Sequence, residues 1–313
     1  MLIDMRDAFF ERIVDKALKD ERIIFLTADH GAFALKRFEQ KMPQRYINIG
    51  ISEQNMVGVA SGLAASGKIV FIYGISPFVS LRVLEQITLD LSAMKLPVNI
   101  ISVGAGFTYS TDGPTHHGLQ DLSALLTVPN MNILNSSDPS NTKNFVDYVI
   151  ESNSPHYIRI EKEKLSYLNE DNHDVMSIDK GYSFLKKGKG NILLVTTGII
   201  IHNIVENSEY FCKELDDDIS IVDLFKIKPI NKELFKLFSK YKYVITIEEG
   251  YTSGMGSFIQ SSITNNLIRK QIFSIGVKED FIFKYGTRLE LLKESNMHVD
   301  GLLNSIKKIK NSF

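Results

Sequence analysis

The feature that most constrains this chain is a rhythm that runs through it twice. Short apolar runs rich in β-branched residues alternate with longer stretches of helical period. Strand-length runs lie at Ile23–Ala28, Tyr46–Ile49, Ile69–Tyr73, Val98–Val103, Met131–Leu134 and Tyr157–Ile160, with helical patterns near Met5–Lys19, Glu53–Ser66, Val79–Ala93 and Ser140–Glu151. Neighbouring parallel strands need a crossover, and a helix is the usual one. The segment EKEKLSYLNEDNHDVMSIDK, residues 161–180, is polar and breaks the pattern. A second series follows, with strands at Asn191–Thr197, Ile219–Val222, Tyr243–Ile247 and Gln271–Ile275. Its helices are expected near Ile199–Leu215, Asn231–Ser239, Gly254–Asn266 and Val299–Lys310. The fold class read from this is α/β: two consecutive open, mostly parallel sheets with helices on both faces. The expected division is residues 1–165, a linker at 166–180, and residues 181–313.

Composition narrows the function by exclusion. A formal net charge of -1 over 313 residues provides no global field for nucleic acid or an anionic membrane surface. The N-terminus mixes both charge signs and lacks the apolar core of a signal peptide. The apolar runs are of strand length, too short to span a bilayer. A cytoplasmic protein is the default expectation. The single cysteine, Cys212, rules out an intrachain disulfide framework and reads as a small hydrophobe near a helix end.

Open parallel sheets bind ligands beyond the carboxyl ends of their strands, so the loops after the strands hold the informative residues. The first is in NIGISEQNMVGVASGLAASGK, residues 48–68. A strand ends, Gly50 permits a tight turn, and a helix of small residues opens at Glu53. On its own, a carboxylate there complements the helix dipole, worth about 0.3–1 kcal/mol. The second is STDGPTHHGLQD, residues 110–121, where turn-formers lead into His116 and His117. No third metal ligand stands at usual spacing, so a polar substrate pocket with a titratable histidine fits better than a metal site.

Together these segments resemble the transketolase superfamily. The first is similar to its G-I-A/S-E-Q motif, and the second to the D-G-x-T-H motif of transketolases and 1-deoxy-xylulose-5-phosphate synthase. RVLEQI (82–87), LPVNIISVGAGF, VPNMNIL and the second-domain segment VITIEEGYTSGMGSF (244–258) extend the resemblance over most of the chain. The family's diphosphate-binding motif, G-D-G followed by an Asn, does not occur. The resemblance therefore implies the C-terminal subunit of a two-gene enzyme, active only with an N-terminal, diphosphate-binding subunit in an α2β2 heterotetramer.

What the resemblance implies can be placed residue by residue. Thiamine diphosphate is the cofactor, with Mg2+ or Ca2+ anchored mainly by the partner and no metal held by this chain. Glu53 is the carboxylate that bonds the aminopyrimidine N1′ and makes the ring its own base. Phe78 is the aromatic ring that stacks on the pyrimidine, and Asp29 lies beside the thiazolium. His116 contacts donor and acceptor oxygens, and Asp112 selects the sugar hydroxyl configuration. His30 departs from the hydrophobic residue usual at its position and implies an altered substrate. Arg159 is a substrate-phosphate arginine, since its fork of donors suits phosphate; Arg82 is a second. Glu248 and Glu249 are expected in a structural or subunit-contact role. The reaction implied is transfer of a two-carbon ketol unit between a ketose and an aldose, with phosphorylated small sugars as the expected substrates. The alternatives are the beta subunit of a 2-oxoacid dehydrogenase, which lacks the DGPTH segment, a 1-deoxy-xylulose-5-phosphate synthase fragment, and a non-catalytic paralogue.

Overall fold

The computed structural model describes residues 2–168 and 178–312. Much of the expected 166–180 linker therefore lies outside the described residues. Two sheets organise the rest. The larger has seven strands in the order Lys226–Lys228, Asn132–Asn135, His156–Ile160, Val98–Val103, Ile69–Ile75, Ile23–Thr27, Tyr46–Asn48. All pairs are parallel except the first, which is antiparallel. The smaller has five strands, Ile272–Val277, Tyr243–Tyr251, Ile192–Thr196, Ser220–Leu224 and Tyr182–Lys186, with only the last antiparallel. Both sheets agree with the expected α/β class.

Strand residues alternate between two cores, as the period of two requires. Ile24, Leu26, Val70, Ile72 and Ile100 face the helix Glu53–Ala65. Phe25, Phe71, Tyr73, Ile101 and Ile158 face the helices Met5–Ala17 and Pro139–Glu151. Those two helices start where side chains cap them. Asp4 accepts from Arg6 and Asp7, and Asp138 forms a capping box with Asn141. The first of these cores runs on into the second sheet through Leu193, Val195 and Val244, so the two domains share buried apolar surface.

Three details differ from the sequence reading. The edge strand Lys226–Lys228 belongs in sequence to the second domain but pairs with the first domain's sheet, so the sheets are not independent. The expected helix Val79–Ala93 is irregular to Val83, then a short helical turn Leu84–Gln86 and a π-helix Ile87–Ala93. The expected helix Ile199–Leu215 breaks at Asn207 into Ile200–Glu206 and Ser208–Leu215. A short ribbon of Ile3–Asp4 against Lys164–Leu165 also pins the start of the chain to the start of the polar segment.

The strand order sets the position of a site. From Ile23–Thr27 the chain first adds Tyr46–Asn48 on one side, then Ile69–Ile75 on the other. The reversal falls between the carboxyl ends of Ile23–Thr27 and Ile69–Ile75, the position at which open sheets bind ligands.

Candidate active site at the strand-end crevice

Residues 28–30 and 76–83 follow those two strand ends, and Glu53 follows the neighbouring strand. Asp29 sits at φ 59°, a left-handed conformation that aspartate tolerates better than most residues. Asn48 holds it there: its Oδ1 accepts the Asp29 N–H at 3.0 Å and the Gly50 N–H at 3.0 Å, and its Nδ2 donates to Asp29 Oδ1 at 3.3 Å. Thr27 does the same for His30, accepting its N–H at 3.2 Å and donating to its carbonyl at 2.6 Å.

Glu53 opens the helix Glu53–Ala65 and is 2% exposed. Its Oε2 accepts from Arg82 Nη1 at 2.8 Å, while its Oε1 is buried with no protein partner. A buried carboxylate oxygen left unpaired is costly, by about 1–3 kcal/mol or more. It therefore points to an absent donor, and a protonated ring nitrogen fits that position. Phe78 lies at the centre of an aromatic group. The His30 ring stacks near it at 6.3 Å between centroids, and the His116 ring meets it edge-on at 5.1 Å. Burial pushes His30 below the usual histidine range, opposed by the Glu53 charge, so its imidazole is largely neutral at pH 7. Glu53, Phe78, His30 and His116, expected from sequence to share a pocket, are thus brought together; Asp29 lies at the same strand ends.

Asp112 and His116 ride on the loop 104–118, pinched at its base by reciprocal backbone bonds between Gly106 and Gly118 at 3.0 and 2.9 Å. Thr111 Oγ1 donates to Asp112 at 3.3 Å, and Thr115 Oγ1 lies 2.9 Å from His116 Nδ1. Carboxylates from both domains grip this loop. Glu249 Oε1 accepts the Phe107 N–H at 2.7 Å, and Thr108 Oγ1 donates to Glu161 at 2.5 Å. Arg288 bridges both carboxylates, at 2.7 Å to Glu249 and 3.2 Å to Glu161. Gly106 is at φ 58°, and a Cβ there would collide with the Glu249 carboxylate, so only glycine fits. Glu248 instead caps the helix Met255–Asn265, accepting two backbone N–H groups at 2.9 Å. Both glutamates are therefore structural.

Arg159 requires correction. Its side chain is 3% exposed, its Nε is paired with Asp121 at 2.6 Å, and its Nη2 donates to the Gly118 carbonyl at 2.6 Å. The strand His156–Ile160 turns it into the protein, where it ties the end of the DGPTH loop to the helix Asp121–Leu125. Buried in this way, it does not face a substrate phosphate. Arg82 is placed on Glu53, with its guanidinium carbon 4.0 Å from the Phe78 ring centroid, and unlike Arg159 it is partly exposed. Two cations that the sequence reading passed over stand near Tyr109 of the loop. Lys162 Nζ lies 5.2 Å from the Tyr109 ring centroid, and Arg6 has a buried Nε with no partner. The Arg6 guanidinium also lies 3.8 Å from the Asp4 carboxylate. Lys162 was legible as a charge following a strand end; Arg6, inside a helix start, gave no such signal.

Two open sheets in tandem, with a buried glutamate and an aromatic ring at the first sheet's reversal, make an α/β domain with a strand-end site followed by a smaller α/β domain. Comparison with known proteins agrees. The family model for the transketolase pyrimidine-binding domain matches residues 2–166, and that for the transketolase C-terminal domain matches 181–301. A putative transketolase C-terminal section of Methanocaldococcus jannaschii is 31% identical over 292 residues, 92% of this chain and 90% of that one. One of the subunits of an apulose-4-phosphate transketolase from Phocaeicola vulgatus is 28% identical over 312 residues, 96% of each. A split-gene transketolase solved as an inactive beta4 tetramer superimposes with a TM-score of 0.86 at 26% identity, covering 98% of both chains. The chain belongs to the transketolase family. It carries the pyrimidine-binding and C-terminal domains of that family and is a transketolase-type transferase.

Proposed function

We propose that this chain holds the aminopyrimidine of thiamine diphosphate in its strand-end crevice. With a partner chain that binds the diphosphate, it transfers a two-carbon ketol unit from a ketose to an aldose. The observation that carries the reading is Glu53: a buried carboxylate with one oxygen unpaired, beside the Phe78 ring, at the sheet's reversal. When bound, the cofactor supplies the electron sink that lets a carbon–carbon bond beside a carbonyl break. The chain's own contribution is binding and proton control. Glu53 would hold a proton at the ring nitrogen, and Phe78 would offer the ring a flat apolar face. His30, kept neutral by burial, and His116 would exchange protons with sugar oxygens. Asp112, exposed on the same loop as His116, would accept from a sugar hydroxyl and so read its configuration. Asp29, in the turn fixed by Asn48, would stand by the thiazolium end.

An anionic sugar is the substrate this reading favours. Arg6 and Lys162 flank Tyr109 on the loop that carries Asp112 and His116, and the 28%-identical relative is named for a sugar phosphate. The partner would hold Mg2+ or Ca2+ with the diphosphate, in an α2β2 heterotetramer in the cytoplasm. No helix among the described residues is long and apolar enough to cross a membrane. The test is Glu53→Gln in the co-purified two-chain complex. Ketol transfer is expected to vanish while the complex still elutes intact from a sizing column. Undiminished turnover would remove Glu53 from the mechanism.

A further inference from the structure

Arg82 is in an unexpected place. A long cation on the irregular segment after a strand normally extends into water, because exposed pairs gain little and cost side-chain entropy. Here the guanidinium donates Nη1 to Glu53 Oε2 at 2.8 Å and lies over Phe78, its carbon 4.0 Å from the ring centroid. The side chain is nevertheless 42% exposed on its outer side. Its backbone is held independently: Arg82 N–H donates to the Pro77 carbonyl at 3.1 Å, and Gln54 Nε2 donates to the Arg82 carbonyl at 3.3 Å. The head can therefore leave by a change of rotamer, with no refolding of the segment.

A guanidinium and a protonated aminopyrimidine share the properties that matter here. Both are planar, both are delocalised, and both present N–H donors in the plane of a carboxylate. Both also stack on an aromatic face. Arg82 uses the two partners, Glu53 and Phe78, that the proposed function gives to the cofactor ring. We propose that Arg82 is a built-in stand-in for that ring: in the cofactor-free chain it occupies the heterocycle's place, and binding requires it to swing out. This inference rests on the reading of Glu53 and Phe78 given above and goes one step further. A buried carboxylate without its ligand is a liability for the free subunit, and Arg82 neutralises it until the cofactor arrives. At Glu53 the ring takes up the unpaired Oε1 while Arg82 leaves Oε2, displaced from the Phe78 face that the ring also needs. Release of Arg82 also frees a cation at the mouth of the crevice, where a diphosphate-bearing ligand must pass.

The cost of displacing Arg82 appears as weaker apparent cofactor binding, because only the fraction of sites with the arginine out is competent. A charge-assisted hydrogen bond together with a cation–π contact corresponds to about 5- to 30-fold in that fraction. The experiment is calorimetric titration of the reconstituted two-chain complex with thiamine diphosphate and Mg2+, for the natural sequence, Arg82→Ala and Arg82→Met. Each variant is expected to bind roughly 5- to 30-fold more tightly. Melting is followed on the same samples. Without cofactor the variants melt lower than the natural complex, since Glu53 has lost its donor; with saturating cofactor the difference disappears. Unchanged or weaker cofactor binding in both variants overturns the proposal, as does a melting deficit that persists when cofactor is saturating. Glu53→Gln separates the two levels of inference. If it leaves cofactor binding unchanged, the reading of the site fails. If it weakens binding while the Arg82 variants do not tighten it, only the stand-in fails.

Discussion

Replacing Arg288 with methionine removes a charge that serves two domains while keeping most of the aliphatic stem. Arg288 lies between Glu249 and Glu161 at 2.7 and 3.2 Å, and both carboxylates are almost wholly buried. Breaking a buried ion pair by deleting one partner costs about 3–5 kcal/mol, because the charge left behind has no solvent. At about 2–4 °C per kcal/mol for domains of 150–250 residues, Tm should fall by roughly 6–20 °C. The deficit should also depend on pH. Burial already raises Glu161 above the usual carboxylate range even with Arg288 present. Without Arg288, Glu161 rises further in the folded state, so the folded protein binds a proton that the unfolded chain does not. Stability then falls as pH rises, and the deficit is larger at pH 8 than at pH 5. Because Glu249 and Glu161 hold the Phe107 N–H and the Thr108 hydroxyl, the loop bearing Asp112 and His116 should loosen as well, raising KM for sugars. Thermal melts between pH 5 and 8, with sugar KM measured below the new Tm, test this. A deficit under about 1 kcal/mol, or one with no pH dependence, would refute the argument that this cluster bears the loop.

Asp223 is buried with Oδ1 unpaired and the Ser137 hydroxyl on Oδ2, and burial raises it from 3.8 to about 8. A raised folded-state pKa means that stability is lost as pH climbs from about 4 to 8, and Asp223→Asn should flatten that slope in melts across the range. Arg159→Met should destabilise by about 3–5 kcal/mol and leave the ratio of KM values for phosphorylated and free sugars unchanged; Arg6→Ala should raise that ratio. The reverse pattern in paired kinetics and melts would restore Arg159 as a phosphate ligand. Asn48→Ala deletes two acceptor bonds to strand-end N–H groups, at about 1 kcal/mol each, and hydrogen exchange at Asp29 and Gly50 should accelerate while the core strands stay protected.

The framework was legible because buried parallel strands announce themselves. Ile23–Thr27 and Val98–Val103 are apolar at most positions and buried on both faces, a pattern that polar-faced strands cannot imitate. Less visible were elements whose reason to exist is another part of the chain. Lys226–Lys228 carries two lysines in three residues and reads as surface, yet it pairs with Asn132–Asn135 and sends Lys228 Nζ to the Leu126 and Val128 carbonyls at 2.9 and 2.6 Å. The π-turn at Ile87–Ala93 is hidden for a different reason, since its apolar spacing is compatible with an ordinary helix. In the structure this turn takes the Ser61 hydroxyl on the Asp90 carbonyl at 3.1 Å and sets the Ser92 hydroxyl on the Pro129 carbonyl.

The same division runs through the site and explains which assignments needed correction. Glu53, Phe78, His30 and His116 come from separate strand-end loops. The reversal of strand order gathers them, and a strand-order rule can anticipate that from hydrophobic pattern alone. The arginines obey no such rule. A guanidinium on a long, flexible stem is drawn to whichever unpaired oxygen lies within its arc, so its role is decided by carboxylates far away in sequence. Arg159 found Asp121, 38 residues back, and became a brace. Arg82 found Glu53, 29 residues back, and came to rest on the carboxylate proposed for the cofactor ring. Arg288 found Glu161 across 127 residues and joined the domains. In a fold built at strand ends, short side chains report the backbone that carries them, whereas long cations report the nearest unsatisfied anion. Arginine roles assigned from local motif should therefore be checked against the buried carboxylates within reach before any is given to a substrate.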